Sequence, residues 1–311
     1  MAKNSTALDR FRYGIGEWYG LSFVQMTGAQ RRDLARRQLL PKEERKPLPC
    51  IPRGGQVACS KDSGVCSIRV YQQLQSGEVV VAPGEMGRLV TTCPCRFEQD
   101  GLAMKWVAEE ILQTASPLVV GEVAFLERTT GKSPLSSAEP GREGVGKIDR
   151  ILVHPTAQPM DWCAVEIQAV YFSGSAMEHE FTAMAASAES AIPFAEKHRR
   201  PDWRSSGPKR LMPQLQIKVP TLRRWGKKMG VVVDESFFAA LGSMTPQSHM
   251  SSADIAWFVV KYDESGGEAR LAPSRLVWTT LEHAVEGLTA GRPVSLAVFE
   301  ARIKAKLSRL D

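Results

Sequence analysis

Long apolar runs are missing from this 311-residue chain: no stretch approaches the eighteen or so residues that a membrane-spanning helix requires. The opening MAKNSTALDRFRYGIGEWYG has no apolar core behind a basic start, so no secretory leader is read and a cytoplasmic location is expected. No block recurs at a period of roughly 20 to 50 residues, which excludes solenoids and propellers. A composition of 43% hydrophobic and 24% charged residues excludes collagen, coiled-coil and disordered classes. What remains is a globular chain long enough for one large domain or two modest ones.

The net charge of +6 is unevenly placed. Between Arg199 and Lys228 stand ten Lys or Arg and a single acid, Asp202, so the rest of the chain is mildly acidic. A second basic cluster runs from Arg31 to Lys46. A localised patch points to a polyanionic partner, and a solvated loop explains the charge equally well. Trp203 and Trp225 lie within the patch and read as packing residues rather than base-stacking ones.

Cysteine is scarce outside one region. Cys50, Cys59, Cys66, Cys93 and Cys95 fall within 46 residues, and Cys163 stands alone in an apolar run that reads as core. In a reducing compartment such clustering suggests a metal before it suggests disulfides. Glycine and proline beside the cysteines favour tight turns, and four converging sulfurs make a tetrahedral site for zinc or iron. The C-x2-C pair of a zinc ribbon is absent, since the gaps are eight, six and twenty-six residues. Five thiols for four places leave one surplus, and a disulfide or incidental-thiol reading stays open.

Patterning gives a coarse map. Residues 22–39 read as a helix with a basic outer face. Residues 67–71, 78–81 and 88–92 read as strands split by Ser-Gly and Pro-Gly turns, and 102–113 as an amphipathic helix. Residues 119–126 suit a strand and 129–146 a loop. Apolar runs at 148–153 and 164–172, joined by HPTAQPMDW, suggest a strand, a turn and a strand. Helices are expected at 176–191, in part of 211–229, and at 281–288 and 294–307. Another buried strand is expected at 255–262. The class is mixed α/β with a cysteine module in front.

Acidic residues interrupt the two central apolar runs. Glu166 and Gln168 differ by two and leave the same face of a strand. A hairpin brings Asp149 beside Glu166. Buried carboxylates repel one another unless a cation lies between them, and Mg²⁺ with oxygen ligands resolves that conflict. Such an ion polarises a phosphodiester and lowers the pKa of water. This is the D-x(n)-E-x-K pattern of PD-(D/E)xK nucleases, with Gln168 where lysine is usual.

Two stretches together resemble the NotI-type restriction endonucleases. The first is Pro49-Cys50, Ala58-Cys59-Ser60-Lys61, Gly64-Val65-Cys66 and Cys93-Pro94. The second is Val165-Glu166-Ile167-Gln168 followed by Phe172-Ser173-Gly174-Ser175. Asp149 matches the family's aspartate on the preceding strand, and Gly121-Glu122 its upstream Gly-Glu step. Ala256-Trp257-Phe258-Val259 resembles a core strand. The likeness covers residues 45 to 180 well and the rest weakly. Cys95 departs from the pattern and could exchange with Cys93 as a ligand.

The resemblance implies a mixed-sheet PD-(D/E)xK core preceded by a four-cysteine module. Boundaries are expected at 1–44 for an N-terminal helical arm, 45–98 for the module and 99–311 for the nuclease core. It implies a homodimeric, Mg²⁺-dependent type II restriction endonuclease that cuts a GC-rich palindrome in double-stranded DNA and leaves 5′-phosphate ends. Asp149, Glu166, Gln168 and Glu122 would form the catalytic set, with Asp149 and Glu166 on Mg²⁺. Cys50, Cys59, Cys66 and Cys93 would hold structural iron or zinc. Arg199, Arg200, Arg204, Lys209, Arg210, Arg223, Arg224, Lys227 and Lys228 are the candidates for DNA contact. A cognate methyltransferase would belong to the same system without binding the enzyme. Two other readings stay open: a repair or recombination nuclease on the same core, and a non-enzymatic DNA-binding protein with a metal module.

Overall fold

Unbroken apolar runs in strands buried on both faces build the centre of the molecule. The computed structural model describes residues 10–126, 146–173, 177–186, 192–195, 197–291 and 294–307. Its N-terminal part contains β1 (Arg10–Trp18), β2 (Leu21–Ser22), β3 (Val65–Gln73), β4 (Val79–Val81) and β5 (Val90–Thr91). They form one antiparallel sheet, with β1 paired along nearly the whole of β3. That pairing crosses the boundary expected at residue 44, where a helical arm was to end. The helix in this region is α1 (Gly28–Leu39), which starts at a reciprocal cap. The Thr27 side chain accepts from the Gln30 N–H, and the Gln30 side chain accepts from the Thr27 N–H.

The second sheet is mixed. It holds β6 (Leu118–Ala124), β7 (Lys147–Val153), β8 (Trp162–Ile167), β11 (Met229–Asp234), β12 (Ile255–Asp263) and β13 (Arg270–Thr279), in the order β13-β12-β11-β8-β7-β6. β8, β11 and β12 are parallel, and the outer pairs are antiparallel. The small strands β9 (Tyr171–Ser173) and β10 (Arg200–Asp202) pair apart from both sheets. β11 was not foreseen. Its run MGVVVD is buried throughout, as expected of a strand with neighbours on both edges and layers on both faces.

Helices cover both faces of this sheet. On one face α2 (Leu102–Leu112) packs Val107, Ala108 and Ile111 against Cys163, Val165, Val232 and Phe258. Cys163 is thus core, as its apolar surroundings suggested. The other face meets α5 (Met212–Arg224) and α7 (Leu281–Thr289). There Leu215, Val219, Leu222 and Leu288 pack with Ala164, Val231 and Trp257. Odd residues of β8 therefore face α2, and even ones, Glu166 included, face α5. The remaining helices are α3 (Glu178–Ala186), α4 (Trp203–Ser206), α6 (Glu235–Ala239) and α8 (Leu296–Leu307). The helix expected over 176–191 is described only within α3, and Gly174 and Ser175 lie outside the described residues.

Buried polar groups join the two sheets. Arg96 Nε donates to Glu17 of β1, which also accepts from Ser67 Oγ of β3, while an Arg96 Nη donates to the Ala269 carbonyl beside β13. The Thr91 N–H donates to Asp234 at the end of β11, 2.6 Å away, and Asp234 also caps α6. Arg69 and Glu264 form a two-pronged pair between β3 and the β12–β13 turn. An unpaired charge at the buried Arg96–Glu17 pair would cost several kcal/mol, roughly 3–5 for a broken buried pair. The N-terminal sheet therefore shares a polar junction with the mixed sheet across the boundary expected at residue 98.

Candidate active site and its surroundings

Hairpin pairing sets the distances at the centre of the site. β7 and β8 run antiparallel with Arg150 opposite Val165, and one further step puts Asp149 opposite Glu166. The Ile167 N–H donates to Asp149 Oδ2 at 2.9 Å, so this carboxylate is stitched to the strand that carries Glu166. Glu166 is 2% exposed. Burial, and then the Asp149 charge, push its carboxyl up to about 7, against the pull of Lys218.

Lys218 is the charged partner of Glu166, and the strand motif does not reveal it. It lies on α5, fully buried, and its Nζ donates to Glu166 Oε1 and to Gln214 Oε1, both at 2.6 Å. Its signal was present in the spacing. Leu215, Lys218, Val219 and Leu222 occupy one helical face, so the lysine fills a position where an apolar residue is expected. In the sequence it is one of the ten basic residues between Arg199 and Lys228.

The other candidates are placed less centrally. Gln168 follows the end of β8, and its Nε2 donates to the adjacent Ala169 carbonyl at 2.5 Å. Glu122 on β6 pairs with Lys147 at 3.1 Å and is mostly exposed. The register of β6 and β7 puts Glu122 across from Asp149, but its φ of 42° departs from strand geometry. Among the described residues no three His, Cys, Asp or Glu side chains form a ready metal centre. Mg²⁺ needs fewer, because one or two carboxylates suffice when waters and a substrate phosphate complete its shell. Asp149 and Glu166 fit that requirement.

The cysteines come from two turns. Around the first, the Cys50 N–H donates to the Val57 carbonyl and the Cys59 N–H to that of Leu48. In the second, the N–H groups of Thr92 and Cys93 both donate to the Cys66 carbonyl. Gly64 turns the chain into Cys66 at φ 68°, where a Cβ would lie 2.3 Å from the Tyr19 ring. The thiols influence one another across these turns: Cys50 feels Cys59 and Cys95, and Cys66 feels Cys59. Burial pushes Cys66 up to about 12. Hydrogen bonding between Cys93 and Cys95 lowers the first and raises the second. The half-buried Lys61 sits among these sulfurs and donates to the Thr92 carbonyl. Thiolates are the donor type that iron and zinc favour, but among the described residues no three of these cysteines are gathered where one ion could be held.

The basic stretch divides into separate groups. Arg199 is buried with Glu180 at 2.6 Å. Arg223 is held by Asp254 and Glu282, and Lys227 by Asp161. Lys228 donates to the Ala253 carbonyl. Arg200, Arg204, Lys209, Arg210 and Arg224 are exposed. Arg210 lies over the Tyr171 ring just past the end of β8, whereas Lys227 lies over Trp162 at its start. The 13-residue α5 separates these ends by about 20 Å, so the charge is not one patch.

The model of a family described as restriction endonuclease NotI matches residues 31–271. No curated protein matches the chain. The matched span contains both carboxylates, Lys218 and the cysteines.

The raised Glu166 carboxyl gives a pH prediction for metal-free protein. Between its ordinary range near 4.5 and about 7, the folded state holds a proton that the unfolded chain has released. Wild-type stability should therefore fall, relative to Glu166→Gln, as pH rises through that window, by at most about 1.4 kcal/mol per pH unit. Chemical denaturation of both proteins at several pH values measures the difference. Parallel curves would contradict this assignment.

Proposed function

The chain belongs to the NotI restriction endonuclease family, and from that premise we propose that Asp149 and Glu166 are its catalytic carboxylates. The protein is a type II restriction endonuclease, a site-specific deoxyribonuclease acting on double-stranded DNA. The non-enzymatic reading of the cysteines and basic charge gives way to that membership. The observation that carries the site assignment is the β7–β8 hairpin, which sets the two carboxylates opposite each other with Asp149 bonded to the Ile167 N–H. A PD-(D/E)xK core accords with this mixed sheet.

Asp149 and Glu166 would hold Mg²⁺, which when bound supplies charge stabilisation at the phosphate and a more acidic water. In the hydrolysis a water oxygen joins phosphorus, releasing one proton to solvent, as the P–O3′ bond breaks. One product keeps a 5′-phosphate, and the departing O3′ takes a proton from solvent. Gln168 is neutral and adds no charge, but its amide can donate to a phosphate oxygen. Glu122 is a peripheral member, occupied by Lys147. Arg200, on the strand paired with β9, and Arg210, over the Tyr171 ring, lie just past the C-terminal end of β8, and with the exposed Arg204 and Lys209 between them in the chain would contact phosphates or guanine edges. Arg224 would act from the far end of α5. A homodimer places one site on each strand and suits a GC-rich palindrome. Cytoplasmic action on DNA accords with this role, and no helix among the described residues is long and apolar enough to cross a membrane.

Digestion of a GC-rich plasmid with Mg²⁺ tests the reading. Discrete fragments with 5′-phosphate ends are expected, and Glu166→Ala should lose cleavage at least a thousandfold while still shifting DNA in Ca²⁺. Wild-type cutting by Glu166→Ala would refute the site assignment.

Cys50, Cys59, Cys66 and Cys93 would hold one structural iron or zinc, with Cys95 the surplus thiol. Elemental analysis should find one transition metal per chain, and Cys66→Ser should lose it together with several degrees of melting temperature. Protein prepared without chelators that holds none would contradict the module.

A further inference from the structure

We propose that Lys218 is the cation of this active site, a positioning residue that fixes the Glu166 carboxylate from the opposite element of the fold. This rests on the assignment of Glu166 above and adds a residue that the strand motif does not contain. In an E-x-K strand the charge follows two residues after the glutamate. Here that position is Gln168, which is neutral and turned to the Ala169 carbonyl. The only charged side chain that hydrogen-bonds Glu166 among the described residues is Lys218, from α5 across the layer boundary.

The placement is costly for a residue that only packs. Lys218 is fully buried on a helical face otherwise made of Leu215, Val219 and Leu222. A well-packed hydrophobe in place of a buried ion pair is often neutral or stabilising. The ammonium is also held from two sides, by Glu166 Oε1 and by Gln214 Oε1, each at 2.6 Å. Gln214 lies one turn before Lys218 on the same helix, so the donor is aimed before substrate arrives. Lys218 engages Oε1 of Glu166, which leaves Oε2 for an ion shared with Asp149. The helix therefore sets the rotamer of a carboxylate that the strand alone would leave to rotate.

Lys218→Met, Lys218→Arg and Gln214→Met carry the test, on the plasmid that the wild type cuts. Melting temperature establishes folding, Ca²⁺ gel shifts read DNA affinity, and cleavage is measured against Mg²⁺ concentration. For Lys218→Met we expect unchanged DNA affinity and KM, kcat at least a hundredfold lower and a Mg²⁺ midpoint raised several-fold. Lys218→Arg should recover part of kcat. A folded Lys218→Met with kcat within twofold of wild type and an unmoved Mg²⁺ midpoint would overturn the proposal, even if it melts earlier. If neither Lys218 variant folds, the half-buried Gln214→Met decides: a roughly tenfold lower kcat with a raised Mg²⁺ midpoint supports the proposal, and wild-type values overturn it. Glu166→Gln separates the two levels. If it cuts normally the active-site reading fails; if it is inactive while Lys218→Met is active, only the role of Lys218 fails.

Discussion

A carboxylate cannot stay buried in the middle of a sheet without partners, and Glu166 is the residue around which the surrounding elements are arranged. β7 supplies Asp149 on one side, and α5 supplies Lys218 from above. The core-facing residues of α5 hold that helix against β8 and β11, so packing and electrostatics specify the same placement. The molecule keeps an ion pair where apolar side chains would pack at lower cost. Such a concession to polarity is common where a fold serves chemistry as well as stability.

The same logic operates at the junction between the sheets. Glu17, Arg96 and Ser67 satisfy one another in the interior, and Asp234 accepts from Thr91 while capping α6. Arg150, next to Asp149, is bound by Glu98, which also pairs with Arg53 beside the cysteine turns. A continuous set of charges thus links the turn after Cys50 to the strand that carries Asp149.

Much of this was legible in the residues. The Pro-containing turn between two β-branched runs gave away the β7–β8 hairpin, and with it the meeting of Asp149 and Glu166. The apolar run around Cys163 placed it in the core. Three features were hidden for physical reasons. The strand β11 is a short apolar run with no period of its own, and it follows a basic helix that masks it. The N-terminal strand β1 pairs with β3 across some fifty residues of chain, a contact that local pattern does not record. Lys218 sat in a charge count, where its sign was noticed and its position on the apolar face was not. Charge summed along the chain also merged groups that α5 holds apart, including an Arg199 that is buried and an Arg223 already paired.

If the β7–β8 hairpin holds the catalytic ion, a crystal structure of the enzyme with its mapped DNA site in Ca²⁺ will show the ion there. Electron density for an ion is expected between Asp149 and Glu166, touching the scissile phosphate, with Lys218 still bonded to Glu166. An ion bound by other residues at that phosphate, or a scissile phosphate remote from the hairpin, would contradict it.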